Sequence, residues 1–120
     1  MRELGRHVIL ELFGCDAKAL DDLKSITETL RKSAEEAGAK IVGETFHKFS
    51  PQGVSGVVII AESHLSIHTW PEIGYAAIDI FTCSNNVDPS KAFKIITEAL
   101  RPRTMSIMEV KRGLLMGDKV

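Results

Sequence analysis

Between Ala61 and Glu72 the chain reads Ala-Glu-Ser-His-Leu-Ser-Ile-His-Thr-Trp-Pro-Glu, with hydroxyls, two imidazoles and two carboxylates close together. Ser55 lies just before this run and Cys83 just after it. Hydroxyl, thiol and imidazole are the groups from which a nucleophile, a base and a proton donor are assembled. A serine hydroxyl attacks a carbonyl only when something takes its proton. An imidazole, with an unperturbed pKa of ~6.5, can do so near neutral pH. Spacing alone does not bring Ser55, Ser63, His68 and Cys83 together. Taken by themselves the residues point to an acyl-transfer or proton-transfer site, and they leave open whether Ser63 is a nucleophile or a turn serine. His68 likewise stays open between a proton carrier and a satisfied core histidine.

Other chemistries find less support. His64 and His68 are four apart, which on a helix would suit a metal chelate. β-Branched Ile67 and Thr69, closed by Pro71, favour a strand instead. On a strand the two rings fall roughly 13 Å apart, too far for one ion. No metal site is therefore expected. No GxSxG elbow surrounds a serine, and no glycine-rich phosphate loop is present.

The elements that must position these groups follow from periodicity. His7–Leu12 reads as a first strand. Asp16 is placed to cap a helix whose apolar positions Leu20, Leu23, Thr27, Leu30, Ala34 and Ala37 recur at helical spacing up to Gly38. Strands are expected over 40–49, closed by the Ser50-Pro51-Gln52-Gly53 turn, and over 55–62, 65–70 and 75–82. On the third of these, His64, Ser66, His68 and Trp70 share one face, and Leu65, Ile67 and Thr69 the other. Asp88-Pro89 opens a second helix to Leu100, Pro102 ends it, and Met105–Val110 is a last strand. The order β-α-β-β-β-α-β predicts an α+β two-layer sandwich, a mainly antiparallel sheet with two helices on one face. Its other face needs a cover, and a second copy of the chain would supply one.

Composition sets the remaining bounds. The chain has 120 residues, 44% hydrophobic and 26% charged, with a formal net charge of -1. That length suits one domain, 1–120, and the near-neutral balance gives no footprint for nucleic acid or an anionic membrane. The basic clusters Arg101-Pro102-Arg103 and Lys111-Arg112 are too short to mark a polyanion site. No apolar run approaches ~20 residues and no signal-peptide core opens the chain, so a cytoplasmic protein is expected. Cys15 and Cys83 are far apart, follow no CxxC pattern and are expected to be reduced.

Several segments together carry a resemblance. Gly53-Val54-Ser55-Gly56-Val57-Val58, Glu62-Ser63-His64, Ile67-His68-Thr69-Trp70-Pro71-Glu72 and Tyr75-Ala76-Ala77-Ile78-Asp79-Ile80-Phe81-Thr82-Cys83 resemble the prokaryotic S-adenosylmethionine decarboxylase proenzymes. Gly5-Arg6-His7 and Val87-Asp88-Pro89 extend the likeness over nearly the whole chain. The resemblance implies self-cleavage at Glu62-Ser63, giving a β chain 1–62 and an α chain 63–120. Ser63 would be the nucleophile of processing and then the source of a covalent pyruvoyl cofactor that binds substrate as a Schiff base. It further implies Ser55 and His68 in processing, with His68 moving protons, and Cys83 as the proton donor in decarboxylation. A thiol, with an unperturbed pKa of ~8.5, suits that last role. Phe49 and Trp70 would stack on the adenine, Glu72 would accept from the ribose, and Leu65 joins them as a substrate-binding residue.

The implied partner is S-adenosylmethionine, in a pair of αβ units (α2β2) whose product donates aminopropyl groups for spermidine. Neither nucleic acid nor a membrane is expected as a partner. Two alternatives remain at this level. A relative on the same scaffold could decarboxylate arginine, because the processing motifs report only the chemistry of position 63. A non-catalytic dimeric ligand-binding domain would keep Ser63 as a plain turn residue.

Overall fold

Alternation of apolar and polar side chains builds the sheet. The computed structural model describes residues 3–61, 63–83 and 85–115. Within these, strands β1 (Gly5–Phe13), β2 (Ile41–Lys48), β3 (Val54–Ile60), β4 (Ser63–Trp70), β5 (Tyr75–Thr82) and β6 (Thr104–Arg112) form one sheet. Their order is β2-β3-β4-β5-β1-β6, and every neighbouring pair is antiparallel. Helices α1 (Ala17–Leu20), α2 (Leu23–Glu36) and α3 (Pro89–Leu100) cover one face. No helix among the described residues is long and apolar enough to cross a membrane.

The core lies between the helices and that face. Leu10 and Leu12 of β1, Leu65 and Ile67 of β4, and Ile78 and Ile80 of β5 pack with Ile26 and Leu30 of α2 and Ile96 and Leu100 of α3. Burying each such side chain contributes about 1.5–3 kcal/mol. The expected two-layer α+β sandwich is observed.

The single helix expected from Asp16 is instead two. Asp16 caps α1, accepting from the N–H groups of Lys18 and Ala19. The chain then breaks at Asp21-Asp22, where the Asp22 carboxylate caps α2 by accepting from Ser25 N. An aspartate at that position offers the backbone a competing partner and restarts the helix. At the other end Gly38 has φ +91°, with Gly38 N–H bonded to Glu35 O and Ala39 N–H to Ala34 O, the expected glycine stop. Asp88 and Pro89 open α3 as the sequence predicts. Arg101, in the left-handed region at φ 51°, closes it one residue before Pro102.

Thr69 ties the layers together. It is buried, and its Oγ1 donates to Leu20 O at 2.8 Å while accepting from Val54 N at 2.9 Å. Thr69→Val keeps the shape but strands a buried carbonyl and a buried N–H. We expect a loss of about 2–4 kcal/mol in urea unfolding. The caps predict an acid limb. Two backbone N–H bonds, from Ala19 and Lys18, hold the Asp16 carboxyl below its ordinary value of 3.8, and the Ser90 hydroxyl and N–H do so for Asp88. Depressed carboxyls stabilise the fold above their unfolded pKa and stop doing so as pH falls through the folded one. The melting temperature should therefore drop below about pH 4, and Asp88→Asn should blunt that drop.

Candidate active site

Strand β4 carries most of the polar run, and pairing with β3 and β5 decides what each group meets. Ser63 opens the strand opposite Thr82, so Cys83, the next residue along, lies beside it. Cys83 N–H donates to Ser63 Oγ at 3.3 Å. Cys83 is exposed and lines a small cleft with Gly5, Arg6 and Thr82, and Ser63 is half-buried. Glu62, the residue on the other side of the expected cleavage point, lies outside the described residues.

The second cluster sits at the far end of β4. His68 pairs with Ser55 of β3, and Ser55 Oγ lies 2.8 Å from His68 Nδ1. The two side chains share the sheet face not covered by helices. Cavities of about 260 and about 270 Å³ flank the pair. The larger is lined by Phe49, Trp70 and Glu72 together with Ser55 and His68. Phe49 and Trp70 are 46% and 41% exposed. Glu72 stands in the turn of 3₁₀ helix Pro71–Ile73, which ends at Gly74 with φ 67°. Trp70 is held by Tyr75, ring centroids 5.2 Å apart, and Phe49 meets His47 edge-on at 4.5 Å.

Five of the expected residues thus meet at one end and two at the other. Ser63 and His68 are five positions apart on one extended strand, roughly 16 Å. Leu65 joins neither cluster. It is 1% exposed, with its side chain in the core beneath the helices, because odd positions of β4 face inward. Its side chain packs in the core and leaves only its backbone toward the substrate cavity's strand. His64 also stays apart, stacked on Phe81 at 5.9 Å.

Sequence reasoning missed the polar centre of the uncovered face. His7 Nε2 lies 2.9 Å from Asp79 Oδ1, Ser66 Oγ donates to Asp79 Oδ2 at 3.3 Å, and Tyr75 donates to Glu11 at 2.5 Å. Burial, with the Glu11 carboxylate adding to it, pushes the Tyr75 phenol up to about 12, so it remains a donor. The available signal was a single acidic residue within each of two strands rich in apolar residues, Glu11 and Asp79. The cysteines differ sharply. Cys15 is buried, which pushes its thiol up to about 11, whereas Cys83 is open to solvent.

Comparison with known proteins places the chain in a family. The family model described as S-adenosylmethionine decarboxylase matches residues 6–113. The S-adenosylmethionine decarboxylase proenzyme of Caldicellulosiruptor saccharolyticus is 57% identical over 114 residues, covering 95% of this chain and 92% of that protein. That of Moorella thermoacetica is 53% identical over 115 residues, covering 96% and 92%. The crystal structure of the Aquifex aeolicus adenosylmethionine decarboxylase superposes with a TM-score of 0.87 at 34% identity, covering 100% of this chain and 99% of that one. A Trypanosoma brucei AdoMetDC monomer shares the fold at TM-score 0.64 and 16% identity, with 85% of this chain matching 44% of that one. With nearly the whole chain matched by the family model and by relatives above half identity, the chain belongs to the S-adenosylmethionine decarboxylase family of enzymes.

Proposed function

We propose that the chain cleaves itself between Glu62 and Ser63 and then decarboxylates S-adenosylmethionine at a site completed by two copies. The reading rests above all on the contact between Ser63 and Cys83. Made by the Cys83 backbone N–H, that contact supports a solvent-open cysteine next to the residue that would become the pyruvoyl group. Two-copy completion rests on the separation along β4. His68 cannot reach the Ser63 of its own chain, but two sheets packed face to face about a two-fold axis can exchange their opposite ends. The uncovered face suits such packing. Phe13, Ile59, Trp70, Met108 and Val110 expose apolar area on it, while His7, Asp79, Glu11 and Tyr75 arrive already paired. Paired polar groups can be buried without the cost of unmet hydrogen bonds.

In processing, Ser63 Oγ attacks the Glu62 carbonyl carbon. The amide C–N bond breaks, the nitrogen takes up the proton the hydroxyl gave, and an ester joins the two halves. The imidazole of a partner's His68, held through Nδ1 by Ser55, would move the proton through Nε2. Loss of the residue-63 α-proton then breaks the C–O bond, releasing a chain that ends at Glu62. The remaining dehydroalanine takes up water and loses ammonia to give the pyruvoyl group. That group, once formed, supplies an electron sink for carbon dioxide loss. Cys83 returns a proton to the substrate α-carbon. Phe49 and Trp70 offer flat faces to adenine and electron density to a sulfonium, and Glu72 accepts from ribose hydroxyls. The product would serve as an aminopropyl donor for spermidine synthesis. Retention of this nucleoside-sized aromatic cavity favours S-adenosylmethionine over arginine.

Denaturing mass spectrometry should find two fragments, the second lighter by the mass of ammonia than a chain starting with serine. Carbon dioxide should be released from S-adenosylmethionine. A single intact chain after long incubation would overturn self-processing, and turnover of arginine alone would overturn the substrate. Ser63→Ala should abolish both cleavage and turnover. Cys83→Ala should still cleave yet lose about 100-fold or more in turnover. Before any such change, iodoacetamide at pH 8 should label Cys83 and spare Cys15.

A further inference from the structure

Asp21 lies in the bend between α1 and α2, yet its carboxylate is spent on another part of the chain. Oδ1 accepts from Gly53 N at 2.8 Å and lies 2.8 Å from Lys48 Nζ. Lys48 Nζ also donates to the Phe49 carbonyl at 3.4 Å, and Phe49 N–H donates to Gly53 O at 2.8 Å. The turn joining β2 to β3 is therefore closed at its neck by backbone and gripped from behind by one carboxylate. Gly53 makes the grip close, since φ is +107° and a Cβ there would stand 3.2 Å from Thr69 O. The adjoining residue Leu20 is bonded through Thr69 to Val54, the first residue of β3. The hydrogen bond from Lys48, and then that from Gly53 N–H, hold the Asp21 carboxyl below its usual range, so it is charged at neutral pH.

The side chain this turn presents on the opposite side is Phe49. Its ring is 46% exposed and makes an edge contact with His47, so its place is set largely by the backbone that carries it. We propose that Asp21 is a positioning residue for substrate binding, one that fixes the Phe49 ring at the cavity shared with Trp70 and Glu72 by clamping residues 48–53. The proposal rests on the reading that Phe49 stacks on the substrate. A preformed turn spares binding the cost of ordering it.

Steady-state kinetics on the self-processed enzyme tests this. Asp21→Ala should raise KM for S-adenosylmethionine about fivefold or more, with kcat and the fraction cleaved within about twofold of the unaltered enzyme. Asp21→Asn, which keeps an acceptor for Gly53 N but not the ion pair, should raise KM less. In a Phe49→Ala background Asp21→Ala should add nothing, because the two act through one ring. An unchanged KM in Asp21→Ala, or a full additive effect on top of Phe49→Ala, would overturn the clamp. A normal KM in Phe49→Ala would instead overturn the role of Phe49 itself. Should Asp21→Ala not fold, Lys48→Met carries the same test. A raised KM that is non-additive with Phe49→Ala supports the clamp, and an unchanged KM rejects it.

Discussion

Strand β4 is extended over Ser63–Trp70, and extension is the constraint around which the site is arranged. An extended chain advances ~3.3 Å per residue and turns its side chains to alternate faces. Five steps therefore set Ser63 and His68 roughly 16 Å apart along the strand. No side-chain rotamer closes such a gap. The ladder to β3 and β5 on either side keeps the strand straight, with Ser55 locked opposite His68 and Thr82 opposite Ser63. In the proposed reading the second group comes from another copy of the chain.

The same alternation shapes the uncovered face. Its apolar residues offer area to bury, while its charged residues are satisfied within the chain. His7 with Asp79 and Tyr75 with Glu11 remove the penalty that lone charges would bring to an interface. On the other face Thr69 and Asp21 bond the bend after α1 to β3, β4 and the β2–β3 turn. One face thus leaves apolar area exposed, and the other holds the turn that carries Phe49.

Much of this was legible in the chain because it depends on local rules. Period-two alternation in 65–70 gave the facing of His68 and Trp70 correctly, and Asp88-Pro89 marked the start of α3. The break at Asp21-Asp22 was hidden because the apolar spacing of Leu20 and Leu23 runs through it. What breaks the helix is a long-range bond from Asp21 to Gly53 and a fresh cap at Asp22, and spacing carries no record of either. The role of Leu65 came with the resemblance alone, whereas alternation had already set its side chain on the face of Ile67 and Thr69, which is core. The grouping of Ser55, His68, Phe49, Trp70 and Glu72 apart from Ser63 and Cys83 needed the strand pairing, which brings residues distant in sequence into register.

The central claim is that each site takes Ser63 from one copy and His68 from another. Co-expression of Ser63→Ala and His68→Ala chains tests it most directly. Every mixed pair then has one site with both substitutions and one with neither. Random pairing leaves about a quarter of sites intact. The account predicts recovery of about a quarter of the cleavage and decarboxylation of the unaltered enzyme, where each variant alone shows little or none. Failure of the mixture to exceed the separate variants, with mixed pairs present by mass, would contradict it.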